Sequence, residues 1–157
     1  MRKIILTGAT GLIGSTIVSE ALKKDYKITC LVRKTSSRIK NIPQNENVRV
    51  VDCPITSYTN LELEGKYNIF MHLAWDKTSV GGRDDVDCQL NNIQYTLDAV
   101  RLAHRCGCTV FIGAGSQAEY GIQKVPLTSD LPVNPESGYG IAKYTAGKLS
   151  AILCKQL

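Results

Sequence analysis

Five short apolar runs alternate with segments of helical period, and that alternation restricts the chain more than any other feature. Lys3-Ile-Ile-Leu-Thr7, Lys27-Ile-Thr-Cys-Leu-Val32, Val48-Arg-Val-Val51, Asn68-Ile-Phe-Met-His-Leu73 and Thr109-Val-Phe-Ile112 read as strands. From Leu12 to Lys24, Ile13, Ile17, Ala21 and Leu22 recur at helical spacing. Val86, Leu90, Ile93, Leu97, Val100 and His104 step by four and three, which predicts one stripe of a long helix. Ala142, Ala146, Leu149 and Leu153 predict the buried face of a last helix. Residues 34–47 and 113–137 read as loops, and 54–65 as a short helix. Near-continuous apolar strands belong to parallel sheets covered on both faces. Right-handed crossovers then give an α/β, doubly wound sheet of strand order 3-2-1-4-5.

The chain has 157 residues, of which 43% are hydrophobic, enough for one globular domain with a real core. Its net charge is +5 and its pI about 8.9. No run of Lys and Arg forms the stripe that nucleic-acid binding needs, whereas spread positive charge suits an anionic cofactor or substrate. Met1-Arg2-Lys3 is followed by three apolar residues before Thr7, too few for a secretory signal, and no run is long enough to span a membrane. The six cysteines are scattered and read as small buried hydrophobes of a reducing, cytoplasmic setting. Cys106-Gly-Cys108 lacks both the Cys-x-x-Cys spacing and a complementary second pair, so no metal site is read there.

Thr7-Gly-Ala-Thr-Gly-Leu-Ile-Gly14 joins the first strand to the first helix. In that position, spaced glycines make a phosphate loop. Gly8 permits the sharp turn, Gly11 lets a pyrophosphate approach the backbone, and Gly14 lets the helix pack close to the sheet. The helix start adds unpaired N–H groups and the positive end of its dipole. Thr10, Leu12 and Ile13 on this turn, with Leu73 and Ala74 after the fourth strand, complete the expected cofactor contacts. The fold is therefore Rossmann-like and the cofactor NAD(P). NAD sites usually carry an acid at the end of the second strand for the ribose 2′-hydroxyl. Here Val32-Arg33 stands there, and Arg33, assisted by Lys34 or Arg38, suits a 2′-phosphate. NADP is preferred, with NAD as the alternative. Asp52 is either an acceptor for the adenine amino group or a turn aspartate.

Tyr-x-x-x-Lys puts a phenol and an ammonium on one helix face, one turn apart. A nearby cation stabilises the phenolate, so the phenol can exchange a proton with a carbonyl/alcohol pair while hydride moves. The pattern occurs at Tyr120/Lys124, Tyr139/Lys143 and Tyr144/Lys148. The first lies in a loop with Gly121 next to it. Tyr144 sits roughly 140° around the helix from Tyr139, so both cannot face one site. Tyr139 is nearer the helix start and the carboxyl ends of the strands, where ligands bind in such sheets. Tyr139 and Lys143 are therefore the expected catalytic pair, with the Lys143 ammonium also available to the nicotinamide ribose. Ser116, just beyond the fifth strand, either hydrogen-bonds a developing alkoxide or makes a local turn bond. His72 reads as a core or ribose-side residue. Trp75, Thr78 and Ser79 either border the site or pack their loop.

Five ordered segments, Thr7 to Gly14, His72-Leu-Ala74, Asn92-Ile-Gln-Tyr-Thr96, Phe111-Ile-Gly-Ala-Gly-Ser-Gln-Ala-Glu-Tyr-Gly121 and Tyr139-Gly-Ile-Ala-Lys143, together resemble the extended short-chain dehydrogenase/reductase family, also called the NAD-dependent epimerase/dehydratase family. The resemblance implies a nucleotide-diphosphate sugar as substrate. It gives Ser116 the catalytic Ser/Thr role, Tyr139 and Lys143 the acid–base and ribose-holding roles, and Asn92 a structural one. It also implies a possible homodimer through helices 86–105 and 139–157. Gln117-Ala118 replaces the Asp-Glu of family dehydratases, which favours a 4-keto reductase or epimerase. Family members continue well past this length into a substrate domain. The chain therefore reads as one NAD(P)-binding domain over 1–157 with the substrate domain missing, from a truncated gene product, a fragment or an engineered domain. A non-catalytic NAD(P)-binding module or enzyme remnant is the rival reading.

Overall fold

The computed structural model describes residues 2–157, and at Val80 the backbone alone. Met1 of the charged start lies outside the described residues. The strands are β1 (Lys3–Thr7), β2 (Lys27–Val32), β3 (Val48–Asp52), β4 (Ile69–His72) and β5 (Val110–Gly113). The helices are α1 (Leu12–Leu22), α2 (Val86–Arg105) and α3 (Gly138–Gln156). All strands pair in parallel in the order β3-β2-β1-β4-β5. This is the expected Rossmann-like sheet, and each strand lies within a residue or so of its predicted bounds.

Two compact units divide the chain. One holds the residues up to Ala74 with Asp98–Gly113, and the other holds Trp75–Leu97 with Ala114–Leu157. The first contains the sheet. Successive side chains of a strand point to opposite faces, and β1 and β2 sort accordingly. Ile4, Leu6, Ile28, Cys30 and Val32 pack with Val18 and Ala21 of α1. Ile5, Leu31 and Phe70 pack on the other face with Ala99, Leu102 and Ala103 of α2. Coverage on both faces fails at the outer strands, where Val50 of β3 and Val110 and Ile112 of β5 are exposed. The pattern of an apolar run is the same at an edge as at the centre, so the sequence alone does not separate them.

The predicted helix stripes need correction. In α1, Ala21 is buried and Ile17 and Leu22 pack against the same core as expected, joined by Gly14 and Val18, while Ile13 faces outward. In α2, Val86, Leu90 and His104 are exposed, and the buried face of the first half is Cys88, Gln89, Asn92 and Thr96. Gln89 and Asn92 on that face are held by hydrogen bonds to the segment before the helix, at Trp75, Asp76 and Gly82, so apolar periodicity does not register it. In α3, Ala142, Lys143, Ala146 and Ser150 are buried, and Leu149 is exposed. The expected helix in 54–65 is only a 3-10 turn at Ile55–Ser57 after Pro54. Tyr58 next to it is buried in the core.

Candidate functional site

Gly8 leaves β1 with φ +72°, and a Cβ there would stand 2.9 Å from the Leu73 carbonyl carbon and 3.0 Å from the Ala74 nitrogen. Only glycine combines that backbone with so close an approach to the end of β4. A Cβ on Gly14 would collide with the Gly8 carbonyl oxygen, so helix and turn touch backbone to backbone. Gly11 is the N-cap of α1 and supplies no side-chain cap; a Cβ on it would meet only Gly8 O, at 3.4 Å. Its place in the loop is therefore tied to the helix end rather than to packing. The first N–H groups of α1 are left without a side-chain partner, and no acid stands in the first turn. Leu12 and Ile13 beside them are 85% and 67% exposed, an apolar rim around a polar helix end. A glycine-lined cradle with an uncapped helix start fits a pyrophosphate.

Gly14→Ala tests that packing. It is expected to lower unfolding free energy by about 1–3 kcal/mol through overpacking and to weaken dinucleotide binding. An unshifted urea midpoint would refute the close contact.

Thr7 organises the same edge of the sheet. Its Oγ1 accepts the N–H groups of Leu73 and Ala74, both at 3.1 Å, and hydrogen-bonds His72 Nδ1 at 2.9 Å. Burial of Thr7 and His72 makes this a core network, in keeping with the core reading of His72. Asn41 Nδ2 donates to the Thr10 carbonyl at 3.1 Å and ties the 34–47 loop to the glycine loop. Arg33 follows β2 and is exposed. Asp52 ends β3 opposite Val32, and its Oδ1 accepts the Lys34 N–H at 2.8 Å. Asp52 thus ties the end of β3 to the segment after β2 instead of bonding within its own turn, and its Oδ2 takes no part in that bond. Gly8, Thr10, Gly11, Leu12, Ile13, Gly14, Arg33, Asp52, Leu73 and Ala74 all fall at the carboxyl ends of strands in this first unit.

In the second unit, Ser116 caps the 3-10 turn Gln117–Tyr120. Its Oγ accepts the Ala118 N–H at 3.2 Å, and Glu119 Oε1 accepts the Ser116 N–H at 2.6 Å. The local bond expected of a loop serine is present, and it uses the oxygen as acceptor, so the hydroxyl proton can still be donated. A Cβ on Gly140 would collide with the Ala118 carbonyl oxygen, so this turn lies directly against the start of α3. Ser137 caps α3 by accepting the Gly140 N–H at 3.1 Å, and Asp84 accepts the Gly138 N–H at 2.8 Å.

Tyr139 sits in that first turn of α3. The Arg83 guanidinium carbon lies 4.7 Å from its ring centroid, and the Trp75 ring meets it edge-on at 5.9 Å. Lys143 Nζ is 5.9 Å from the same centroid and donates to the Ala114 carbonyl at 2.9 Å. Lys143 is only 7% exposed, and burial pulls its ammonium down to about 8, with Glu119 opposing. The rival Lys148, beside Tyr144, is exposed, and Tyr120 lies in the 3-10 turn, not in a helix. Buried Lys143 therefore separates the Tyr139 pair from the other two. An open cavity of about 550 Å³ adjoins this cluster, with Arg83, Gln117, Gln123, Glu136 and Ser137 in its lining. Arg83 Nε is buried without a hydrogen-bond partner. Sequence reasoning passed over Arg83, since a lone arginine in an irregular segment carries no periodic signal.

Asn92 fulfils its structural expectation. Its Oδ1 accepts the Asp76 N–H at 2.8 Å and its Nδ2 donates to the Asp76 carbonyl at 3.0 Å. The cysteines Cys30, Cys53 and Cys106 lie in the sheet cores, and burial pushes the Cys30 and Cys108 thiols up to about 12. Cys88 is buried as well, Cys108 is half-buried, and Cys154 alone of the six is exposed. No described helix is long and apolar enough to cross a membrane.

A parallel 3-2-1-4-5 sheet with a glycine cradle at β1 defines a dinucleotide-binding class of fold. The chain belongs to the NAD dependent epimerase/dehydratase family, whose model matches residues 4–156. It is 28% identical over 140 residues to a dTDP-6-deoxy-L-talose 4-dehydrogenase (NAD(+)) of Aggregatibacter actinomycetemcomitans, covering 89% of this chain and 51% of that one. It is 28% identical to a UDP-glucose 4-epimerase of Mycolicibacterium smegmatis, covering 90% and 48%. In fold it resembles the UDP-glucuronic acid 4-epimerase of Bacillus cereus in complex with NAD, with a TM-score of 0.78, 23% identity, and coverage of 98% and 52%. The UDP-Glc/GlcNAc 4-epimerase of Campylobacter jejuni gives a TM-score of 0.83 at 20% identity, covering 99% and 50%. The chain spans about half the length of the curated relatives it matches.

Proposed function

We propose that this chain is the cofactor-binding and catalytic part of an NADP-linked nucleotide-sugar oxidoreductase, a 4-keto reductase or epimerase. The observation that carries the reading is Lys143, a buried lysine one turn from Tyr139 and anchored on the Ala114 carbonyl. A cation is costly to bury, and a Tyr–Lys pair is a chemical use for one.

Gly8, Gly11 and Gly14 take the pyrophosphate, with Thr10, Leu12 and Ile13 on the same turn and Leu73 and Ala74 after β4 as further contacts. Asp52 takes the adenine amino group. Lys143 holds the nicotinamide ribose and keeps positive charge beside Tyr139. A nicotinamide held there would supply hydride exchange with the sugar carbon. Tyr139 moves the proton of the sugar oxygen, and the Ser116 hydroxyl donates to that oxygen as charge develops on it. The cavity bordered by Arg83 and Gln117 receives the sugar. The relatives named above act on dTDP- and UDP-linked sugars by name, which supports that substrate class. Gln117-Ala118 supports reduction or epimerisation over dehydration.

Arg33, exposed at the end of β2, supports the 2′-phosphate preference. NADPH is expected to bind about tenfold or more tightly than NADH, the size of one charge-assisted hydrogen bond, and Arg33→Ala should level the two. A fluorescence titration giving equal affinities for the unaltered chain would remove the role of Arg33. Failure of both dinucleotides to bind would sink the whole reading.

A homodimer through helices 86–105 and 139–157 is part of the proposal. Val86 and Leu90 of α2 are exposed, as are Ile141, Leu149 and Ile152, which recur at helical spacing on α3. A location in the cytoplasm is likewise proposed, supported by the unpaired cysteines.

A further inference from the structure

Trp75 is the single tryptophan of the chain, and it lies against both central side chains of the proposed site. Lys143 Nζ stands 3.8 Å from its indole centroid. The indole meets the Tyr139 ring edge-on, at an interplanar angle of 83°. Its own orientation is fixed from α2. Trp75 Nε1–H donates to Gln89 Oε1 at 2.9 Å, and Gln89, only 3% exposed, donates through Nε2 to the Gly82 carbonyl at 2.9 Å. One turn along α2, Asn92 grips both backbone groups of Asp76, the residue after Trp75. These two buried amides are the polar face that displaced the expected apolar stripe.

We propose that Trp75 is a positioning residue whose π face holds the Lys143 ammonium against the Ala114 carbonyl and so fixes Nζ beside Tyr139. An ammonium gains from the negative face of an indole, whereas a neutral amine does not. An aliphatic side chain in the same place would exclude water equally and offer no such attraction. The other charged and titratable groups around the pair are Glu119 from the 3-10 turn, Arg83 over Tyr139, Tyr139 itself, and Asp76 next to Trp75. None of these is removed by changing the indole. The inference rests on Lys143 being the working cation of Tyr139, and its test needs no cofactor, so a failed dinucleotide titration and a failed clamp are separate results.

The test follows the Lys143 side-chain carbon resonance and Trp75 emission across pH in the cofactor-free chain. In the unaltered protein the two are expected to share one midpoint, and Lys143→Met should abolish that step in the emission. Trp75→Leu is expected to lower the Lys143 midpoint by about one pH unit, a roughly tenfold fall in the ammonium-to-amine ratio at fixed pH. Trp75→Phe, which keeps an aromatic face, should recover much of it. A Leu variant with an unchanged or raised midpoint would overturn the proposal, since the indole would then act only by excluding water. If the Leu variant does not fold, the emission decides alone: separate midpoints, or a step that survives Lys143→Met, overturn the clamp.

Discussion

Tyr139→Phe is expected to cut turnover of a nucleotide sugar by about 10²–10⁴-fold, the usual contribution of a positioned acid–base group. Cofactor affinity should stay unchanged. The substitution deletes one oxygen and keeps the ring, so the packing of Tyr139 against Arg83 and Trp75 persists. The split between turnover and affinity makes the result specific. A residue that merely supported the start of α3 would lose both. The same substitution at Tyr144, whose ring lies 5.2 Å from exposed Lys148, is expected to leave turnover intact. The comparison uses a form of the protein with measurable turnover, assayed at saturating and at low substrate so that kcat and KM are resolved. Turnover retained in Tyr139→Phe, or lost equally in Tyr144→Phe, would remove the acid–base role from Tyr139.

Much of this geometry could be read in advance because it depends on glycine and on strand patterning. Gly8 and Gly14 stand where a Cβ would strike backbone, and that need leaves its mark in the sequence. Strand order followed from the βα alternation and the handedness of crossovers. The helices were read less well. Periodicity of large apolar residues pointed to Val86 and Leu90, while Gln89 and Asn92 were buried by hydrogen bonds to Gly82, Trp75 and Asp76. In α1 the small residues were read correctly and a large one was not. Gly14 and Ala21 face the core of α1 because they permit close approach, and the larger Ile13 is left outside. The Arg83 stack on Tyr139 joins an irregular segment to a helix start, and no local pattern encodes it. What could be read was chemistry confined to one segment. What could not was pairing between segments.

Lys143→Met should separate stability from function more sharply than any other change. Burial lowers the Lys143 pKa from its ordinary 10.5 to about 8. In the unfolded chain the amine keeps its proton up to the higher value; in the fold it gives the proton up near the lower one. Between the two the unfolded state binds more protons, so stability rises with pH across that window. Below about pH 8 the cost of the buried ammonium is fully present, and above about 10.5 it is gone. At about 1.4 kcal/mol for each pKa unit, the full cost is about 3 kcal/mol. Methionine keeps an unbranched side chain without the charge, and replacing a buried charge by an apolar group commonly gains about 1–4 kcal/mol. The bond to Ala114 is lost, which offsets part of the gain. The variant is therefore expected to be about 1–3 kcal/mol more stable than the parent at pH 7, inactive, and weaker toward the dinucleotide. Its stability advantage should shrink as pH rises from 8 and vanish near 10.5, read as the difference in urea midpoints so that other titrations cancel. An advantage that persisted unchanged at high pH would mean that packing, not charge, was relieved. No advantage at pH 7 would mean that Trp75, Ala114 and Glu119 already compensate the ammonium, and that the fold bears no cost for keeping a cation beside Tyr139.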